Sequence, residues 1–225
     1  MSRDFLPQAR KLVFLGEAGC GKSEIAMQLA LTLAAQGSAV HFFDLDQTKP
    51  LMRARDAAAL LEKGGVTVHF AEQYADVPTQ VGGLLPLLMD ESAVVLLDVG
   101  GGAAGAKLIG GCAHLLRTAA VYFVVNPYRP WSGTAAHIGG TLSAVLRVSR
   151  LRTPRFLLNP NLGRGTTAEE YLDGLVQGLA LLTPYVSVEA AAVPAALYEQ
   201  VRPHTGLPLL RITPRITVPE TGLDE

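Results

Sequence analysis

Eight residues near the N-terminus, GEAGCGKS at 16–23, have the types and spacing that hold a nucleotide phosphate. They match the phosphate-loop pattern G-x-x-x-x-G-K-[ST] at every fixed position. Glycine tolerates backbone angles that turn successive N–H groups inward around an anion, and the helix that follows adds its positive N-terminal end. The residues predicted to contact the nucleotide through this loop are Gly16, Gly19, Cys20, Gly21, Lys22, Ser23 and Glu24.

Lys22 and Ser23 give the loop a cation and a hydroxyl. The Lys22 ammonium would bridge the β- and γ-phosphate oxygens, and the Ser23 hydroxyl would complete the coordination of a Mg²⁺ ion. Glycine-rich turns also serve purely structural ends, so the context of the loop matters. An apolar strand pattern at 12–15 and an amphipathic helical pattern from Ile25 flank it, which favours the nucleotide interpretation.

An acidic residue follows the apolar run at 93–97. At the end of such a run, Asp98 would hold Mg²⁺ directly or through water, and Gly101 could offer its N–H to a γ-phosphate. An aspartate after a strand is alternatively a helix cap, and the sequence leaves that interpretation open.

Two further carboxylates, Asp44 and Asp46, follow the predicted strand 38–43. A carboxylate beside a bound metal and Lys22 can aim the attacking water, and Asp46 is the better candidate for that catalytic role and for a place at the metal. Asp44 would support the metal shell or the Lys22 ammonium. The pair could instead cap the following helix.

Strand-like and helix-like segments alternate along the whole chain. The predicted strands are 12–15, 38–43, 66–70, 93–97, 119–125, 155–158, 186–193 and 209–212, and the predicted helices are 25–37, 51–63, 80–89, 134–149 and one that opens at Thr167. We therefore predict an α/β fold, doubly wound, with a mainly parallel sheet of about seven or eight strands flanked by helices. Residues 1–213 would form a single P-loop nucleotide-binding domain, and 214–225 a C-terminal tail.

The composition restricts the class of protein. The 225 residues have a formal net charge of −1, with 49% apolar and 17% charged residues, which supports a well-buried core. A nearly neutral chain has no global attraction for nucleic acid or anionic lipid, and no apolar run approaches the eighteen or so residues of a membrane span. Because the N-terminus carries no apolar secretion signal, we expect a cytoplasmic protein without a membrane anchor.

Two other features have both a functional and a plain interpretation. Cys112 has no neighbour at metal-ligand spacing, so it is predicted to be a small buried side chain unless a symmetric dimer pairs two copies. Four arginines cluster around a helix end: Arg147, Arg150, Arg152 and Arg155. They could bind DNA or an acidic partner, or they could simply suit a helix C-terminus and stay solvated.

Six motifs occur in order along the chain: GEAGCGKS at 16–23, DLDQ at 44–47, LLDVGGG at 96–102, VVNP at 124–127, LLNPN at 157–161 and VEAAAVP at 188–194. This set resembles the MinD/ParA-type ATPases of the SIMIBI class of P-loop proteins. The resemblance implies that Lys22, Ser23 and Asp98 keep their phosphate and Mg²⁺ roles. It also implies that Asp46 is the switch-I aspartate that orders the hydrolytic water.

The resemblance further implies where the base lies. Asn159 would read the adenine edge from the sixth strand, and 192–196, which includes Pro194, would be the loop that closes over the base. The Asn-Lys-x-Asp motif that is specific for guanine is absent from the sequence. ATP with Mg²⁺ is therefore favoured over GTP.

Glu17 departs from the family's pattern. The family's phosphate loop usually carries a signature lysine just after its first glycine, and this lysine reaches the partner's ATP across a nucleotide-sandwich dimer. A carboxylate at that position would repel a nucleotide across an interface. It is then open whether nucleotide binding drives the formation of a homodimer. Arg129, Lys49 or Arg53 could supply a substitute cation.

We predict from this evidence a cytoplasmic, Mg²⁺-dependent ATP-binding protein whose slow ATP hydrolysis switches its conformation or its binding of a protein partner. Related proteins position plasmids, place cell-division machinery or insert metals into enzymes, and the last role usually brings a paired-cysteine motif that this chain lacks. Two alternatives remain: a dethiobiotin-synthetase-like ligase or kinase on the same fold, and a nucleotide-binding module without turnover.

Overall fold

The computed structural model describes residues 4–46, 51–70 and 81–214, without the side chains of 51–56. Its centre is one eight-stranded sheet with the order β3-β2-β4-β1-β5-β6-β7-β8, in which every neighbouring pair is parallel. The strands are β1 Lys11–Leu15, β2 Val40–Leu45, β3 Val66–Phe70, β4 Val94–Val99, β5 Ala120–Val125, β6 Arg155–Leu158, β7 Val188–Pro194 and β8 Leu209–Ile212. The predicted α/β fold is confirmed.

Helices cover both faces of this sheet. They are α1 Lys22–Ala35, α2 Leu51–Lys63, α3 Leu84–Met89, α4 Gly102–Ala106, α5 Ala135–Ser149, α6 Ala168–Leu182 and α7 Tyr198–Val201. Apolar side chains of α1 and α2 pack on one face, and those of α3 to α7 pack on the other. No helix of the described residues has the length and apolar character that crossing a bilayer requires.

The strand β4 shows why its sequence is a continuous apolar run. Val95 and Leu97 contribute to the core on one face, whereas Val94 and Leu96 contribute to the core on the other. Alternate side chains of a strand point to opposite faces, so a strand covered on both sides needs apolar residues at every position. All six residues of β4 are buried.

Two strands extend beyond their predicted ends. Asp44 lies within β2 and Asp98 within β4, and the two residues are directly paired across these neighbouring strands. The predicted strands stopped at the last apolar residue. Backbone pairing does not depend on an apolar side chain, so the ladder continues through both carboxylates.

Some local predictions were wrong. The sequence pattern predicts no helix at α4 or α7, because segments of four or five residues are too short to show helical periodicity. The helix α3 contains Pro86 as its third residue, where a missing backbone N–H costs no intrahelical hydrogen bond.

A histidine pair makes the stability of this sheet dependent on pH. His41 Nδ1 of β2 lies 3.1 Å from His69 Nε2 of β3, and the His69 ring stacks on Phe43. Burial lowers the pKa of both imidazoles below their usual 6.5; for His41, Asp90 acts in the opposite sense and Lys11 in the same sense. The folded chain therefore binds fewer protons at these two imidazoles than the unfolded chain does.

We predict that the free energy of unfolding falls as the pH is lowered from about 7.5 to about 5.5, since below the unfolded pKa the unfolded state binds more protons. His69→Gln should make this fall smaller, because one of the two resisting groups is gone. Urea denaturation at the two pH values measures it, with the exposed His204→Gln as the control. An unchanged pH dependence in His69→Gln would contradict the prediction.

Candidate nucleotide-binding site

The loop 16–23 connects the end of β1 to α1, as predicted. Gly16, Gly19 and Gly21 have φ angles of +141°, +70° and +97°, which L side chains rarely adopt. A Cβ atom at Gly16 would lie 2.6 Å from the Val124 carbonyl oxygen, and one at Gly21 would lie 2.0 Å from Asn159 Nδ2. The loop therefore needs glycine for its conformation and for its close approach to β5 and β6.

Lys22 is the first residue of α1 and is only 5% exposed. Its ammonium Nζ donates a hydrogen bond of 2.8 Å to the Glu17 carbonyl oxygen, so the side chain folds back along the loop. The loop thus holds a cation next to the inward-facing backbone that could surround a phosphate.

Two side chains from other strand ends fix the middle of the loop. Asn159, which follows β6, donates from Nδ2 to the Cys20 carbonyl oxygen at 2.9 Å. Arg129, which follows β5, donates from Nε to the Gly19 carbonyl oxygen at 3.1 Å. Both interactions use carbonyl oxygens of the loop and none of its N–H groups.

The Cys20 side chain is fully buried beneath the loop. Burial raises the pKa of its thiol, although the Lys22 ammonium acts in the opposite direction. The thiol therefore stays neutral near pH 7 and places no negative charge beside a bound phosphate.

Three carboxylates gather where β2 and β4 end. Asp44 and Asp98 are neighbours across these strands, and the Asp46 N–H donates to Asp44 Oδ1 at 3.0 Å. Asp98 is completely buried, and Asp46 Oδ1 lies 3.2 Å from the point that a Cβ at Gly100 would occupy. The alternative of Asp98 as a helix cap is wrong, because Gly101 occupies the N-cap position of α4.

The glycine segment after β4 lies directly on the phosphate loop. A Cβ at Gly101 would be 2.7 Å from the Ala18 backbone nitrogen, and Gly102 N–H donates to the Gly16 carbonyl oxygen at 3.1 Å. This segment therefore lies between the loop and Asp46, where a γ-phosphate would meet both.

The predicted metal ligands fit Mg²⁺ by their chemistry. Ser23, Asp46 and Asp98 all offer oxygen, which is what this ion prefers. The described residues contain no cluster of three or more His, Cys, Asp or Glu side chains arranged to hold a metal by themselves.

The structure shows where the Glu17 carboxylate lies. Thr141 Oγ1 of α5 donates to Glu17 Oε1 at 2.8 Å, and Glu17 Oε2 lies 3.3 Å from the position of a Cβ at Gly102. Glu17 is therefore held against its own chain. Of the proposed substitute cations, Arg129 lies at the loop, whereas Lys49 and the side chain of Arg53 lie outside the described residues.

The two predicted base contacts have different surroundings. Asn159 is buried and uses one amide hydrogen on Cys20, which leaves its second amide hydrogen and its oxygen as possible partners for a base. Pro194 is the last residue of β7 and pairs with Ile212. The predicted loop 192–196 is thus mostly strand, followed by the 3₁₀ helix Ala195–Leu197.

Two residues that organise the site had no assigned role in the sequence. Asn126 Nδ2 donates to the Asn161 carbonyl oxygen at 2.8 Å and links the ends of β5 and β6; its place in an Asn-Pro strand end was the available signal. Thr141 had no signal, since only the packing of α5 brings it to Glu17.

The chain is similar to known proteins only over part of their length. No protein-family model matches it. It is 38% identical over 80 residues to the cytosolic Fe-S cluster assembly factor cfd1 of Aspergillus clavatus, covering 32% of this chain and 25% of the relative. It is 56% identical over 39 residues to the cytosolic Fe-S cluster assembly factor CFD1 of Yarrowia lipolytica, covering 17% of this chain and 13% of that relative. The chain thus spans about a quarter or less of these curated relatives.

Solved structures match over most of the chain. The cell division protein FtsY of Thermotoga maritima has a TM-score of 0.54 at 15% identity, over 85% of this chain and 65% of that one. The signal recognition particle 54 kDa protein of Aeropyrum pernix, in complex with GDP, has 0.53 at 16%, over 82% and 42%. The chain has the P-loop NTPase fold of these neighbours.

A third structure extends the comparison. A nucleotide-binding protein of Archaeoglobus fulgidus in complex with ADP has a TM-score of 0.50 at 18% identity, over 81% of both chains. At these identities the likeness concerns the fold alone. Together with the local match to Cfd1, it confirms the resemblance to P-loop proteins, whereas the Glu17 substitution is not tested by it.

We predict that Gly21→Ala weakens ADP binding at least about tenfold, because the loop must shift away from Asn159. Gly37→Ala is the matched control: its φ is +86° but nothing lies within 4 Å of its Cβ position. It should lose only about 1 kcal/mol of stability and keep its affinity. Calorimetric titration decides, and equal affinity losses in both variants would contradict the prediction.

Proposed function

We propose that this protein binds ATP with Mg²⁺, hydrolyses it slowly, and uses the change to switch its conformation or its binding of a protein partner in the cytoplasm. The observation that carries the proposal is the contact of 100–102 with both the phosphate loop and Asp46. A γ-phosphate bound there would touch all three at once.

Each residue has a distinct part in this proposal. The backbone N–H groups of 16–23 bind the phosphates, and Lys22 neutralises charge on the β- and γ-phosphate oxygens. Bound Mg²⁺ would add positive charge that stabilises the transferred phosphoryl group, with Ser23 and Asp98 as its protein ligands. Asp46 orients the attacking water and accepts its hydrogen bond.

The switch would work through α4 and α5. Loss of the γ-phosphate removes a contact to 100–102, which continues directly into α4. The helix α5 is connected to the same place, because Thr141 holds Glu17 and Glu17 lies against Gly102. A partner bound on α4 or α5 would therefore sense which nucleotide is present.

We further propose that Arg129 supplies in cis the cation that a signature lysine would supply from a partner subunit. Glu17 is engaged by its own α5, and Arg129 already lies over Gly19. An arginine beside the developing charge of a phosphoryl group accelerates its transfer. Turnover would then not require a homodimer.

ATP is the proposed nucleotide because the sequence lacks the guanine-specific Asn-Lys-x-Asp motif. The fold by itself does not decide, since the similar structures include one with GDP and one with ADP. The Cfd1 names state a role in Fe-S cluster assembly for those proteins, and such a role usually brings a paired-cysteine motif. The chain has two cysteines, and both are buried in different segments.

The proposal is tested by steady-state phosphate release and by molecular mass with ATP, ADP and no nucleotide. We predict slow, Mg²⁺-dependent turnover that falls at least about a hundredfold in Asp46→Asn, which keeps the shape but removes the charge. Lys22→Ala should lose nucleotide binding as well as turnover. Binding without turnover in the wild type would favour the passive module, and turnover only with an added metabolite would favour the ligase.

The role of Arg129 has its own test. Arg129→Ala should reduce kcat at least about tenfold while ATP affinity changes little, since the charge is needed most in the transition state. Arg164→Ala, an exposed arginine in the loop after β6, is the matched control and should behave as wild type. An unchanged kcat in Arg129→Ala would exclude the arginine from catalysis.

A further inference from the structure

A cavity lies at the amino-terminal edge of the sheet, opposite the candidate nucleotide site, where β5 begins and α5 has just ended. It has a volume of about 560 Å³ and is lined by Gly110, Gly111, Ala113, His114, Leu116, Arg117, Ala119, Val121, Arg150, Leu151, Arg152 and Thr153. We call it the basic cavity. It shares no residue with the candidate nucleotide site.

Three arginines give this cavity its charge. The exposed side chains of Arg117, Arg150 and Arg152 form no hydrogen bond or ion pair with any described residue. Arg155, which the sequence grouped with them, instead pairs with Glu189 at 3.1 Å. The arginines at the cavity are therefore Arg117, Arg150 and Arg152. Arg117 comes from a different segment from the cluster that the sequence predicts.

Two left-handed residues shape the backbone around the basic cavity. Arg150 and Thr153, with φ of +57° and +51°, are the two non-glycine residues at positive φ within the described ranges. Arg150 is the αL C-cap of α5, which is a common way for a helix to end. Between the two, Leu151 is buried and its N–H donates to Ser149 Oγ at 3.3 Å, so the turn that carries Arg150 and Arg152 is fixed by its own chain.

The lining of the cavity is partly apolar and partly polar. Leu116, Val121 and Leu151 form its apolar part and are buried, whereas the arginines and the backbone around them form the polar part. A concave site with an apolar part, a few charged groups at its edge and this volume has features of a small-molecule site. An extended nucleic-acid surface would instead spread its cations along a face.

We propose that the basic cavity binds a small organic phosphate, with an apolar body against Leu116, Val121 and Leu151 and its phosphate among the arginines. Guanidinium groups bind phosphate oxygens in pairs, and a phosphomonoester dianion offers three such oxygens to three arginines. These groups favour an anion over a neutral molecule of the same shape, because the phosphate accepts charge-assisted hydrogen bonds from them.

The test is calorimetric titration of the full chain with 1-naphthyl phosphate, with neutral 1-naphthol and inorganic phosphate as comparisons. We expect 1-naphthyl phosphate to bind and 1-naphthol not to bind. Arg117→Ala and Arg152→Ala should each weaken the binding of 1-naphthyl phosphate at least about tenfold. Arg152→Lys should keep part of the affinity that Arg152→Ala loses. Arg164→Ala should leave it unchanged.

The Lys22→Ala variant separates this site from the phosphate loop. If Lys22→Ala abolishes binding and the two cavity variants do not, the ligand occupies the loop and the proposal is overturned. Equal binding of 1-naphthol would also overturn it. So would a short single-stranded DNA that binds through the same arginines more tightly than 1-naphthyl phosphate, because the surface would then belong to nucleic acid.

Discussion

The strand order of the parallel sheet is the constraint on which the candidate site depends. Because β2, β4, β1, β5 and β6 are consecutive neighbours, their carboxyl ends meet along one edge although their residues are far apart in sequence. The phosphate loop and Asn159 follow β1 and β6, whereas Asp44 and Asp98 lie near the carboxyl ends of β2 and β4. Parallel strands place ligands beyond their carboxyl ends for this reason.

Within that edge, the phosphate loop is held from three sides by its own chain. Asn159 and Arg129 donate hydrogen bonds to its carbonyl oxygens, and Thr141 donates one to the Glu17 side chain. These hydrogen bonds fix the loop before any ligand arrives, so less conformational entropy is lost when a phosphate binds. They also explain how an acidic residue can occupy the second position: its charge is turned toward α5, where a hydroxyl satisfies it.

The sequence predicted the sheet, its strands and the position of the phosphate loop between β1 and α1, because buried parallel strands and a complete phosphate-loop pattern leave strong local signals. It did not predict that Asp44 and Asp98 lie inside their strands, since apolar patterning ends before backbone pairing does. The roles of Thr141 and of the arginines around the basic cavity could not be predicted, for another reason. Their roles come from contacts between segments distant in sequence, which no local pattern records.

Hydrogen–deuterium exchange with and without Mg²⁺-ATP tests the central claim most directly, because it reports on the backbone N–H groups that are supposed to bind phosphate. The account predicts slower exchange at 16–23 and at 100–102 when ATP is present, with a weaker effect at 100–102 when ADP replaces it. Unchanged exchange at 16–23 with saturating nucleotide, or protection confined to other segments, would contradict it.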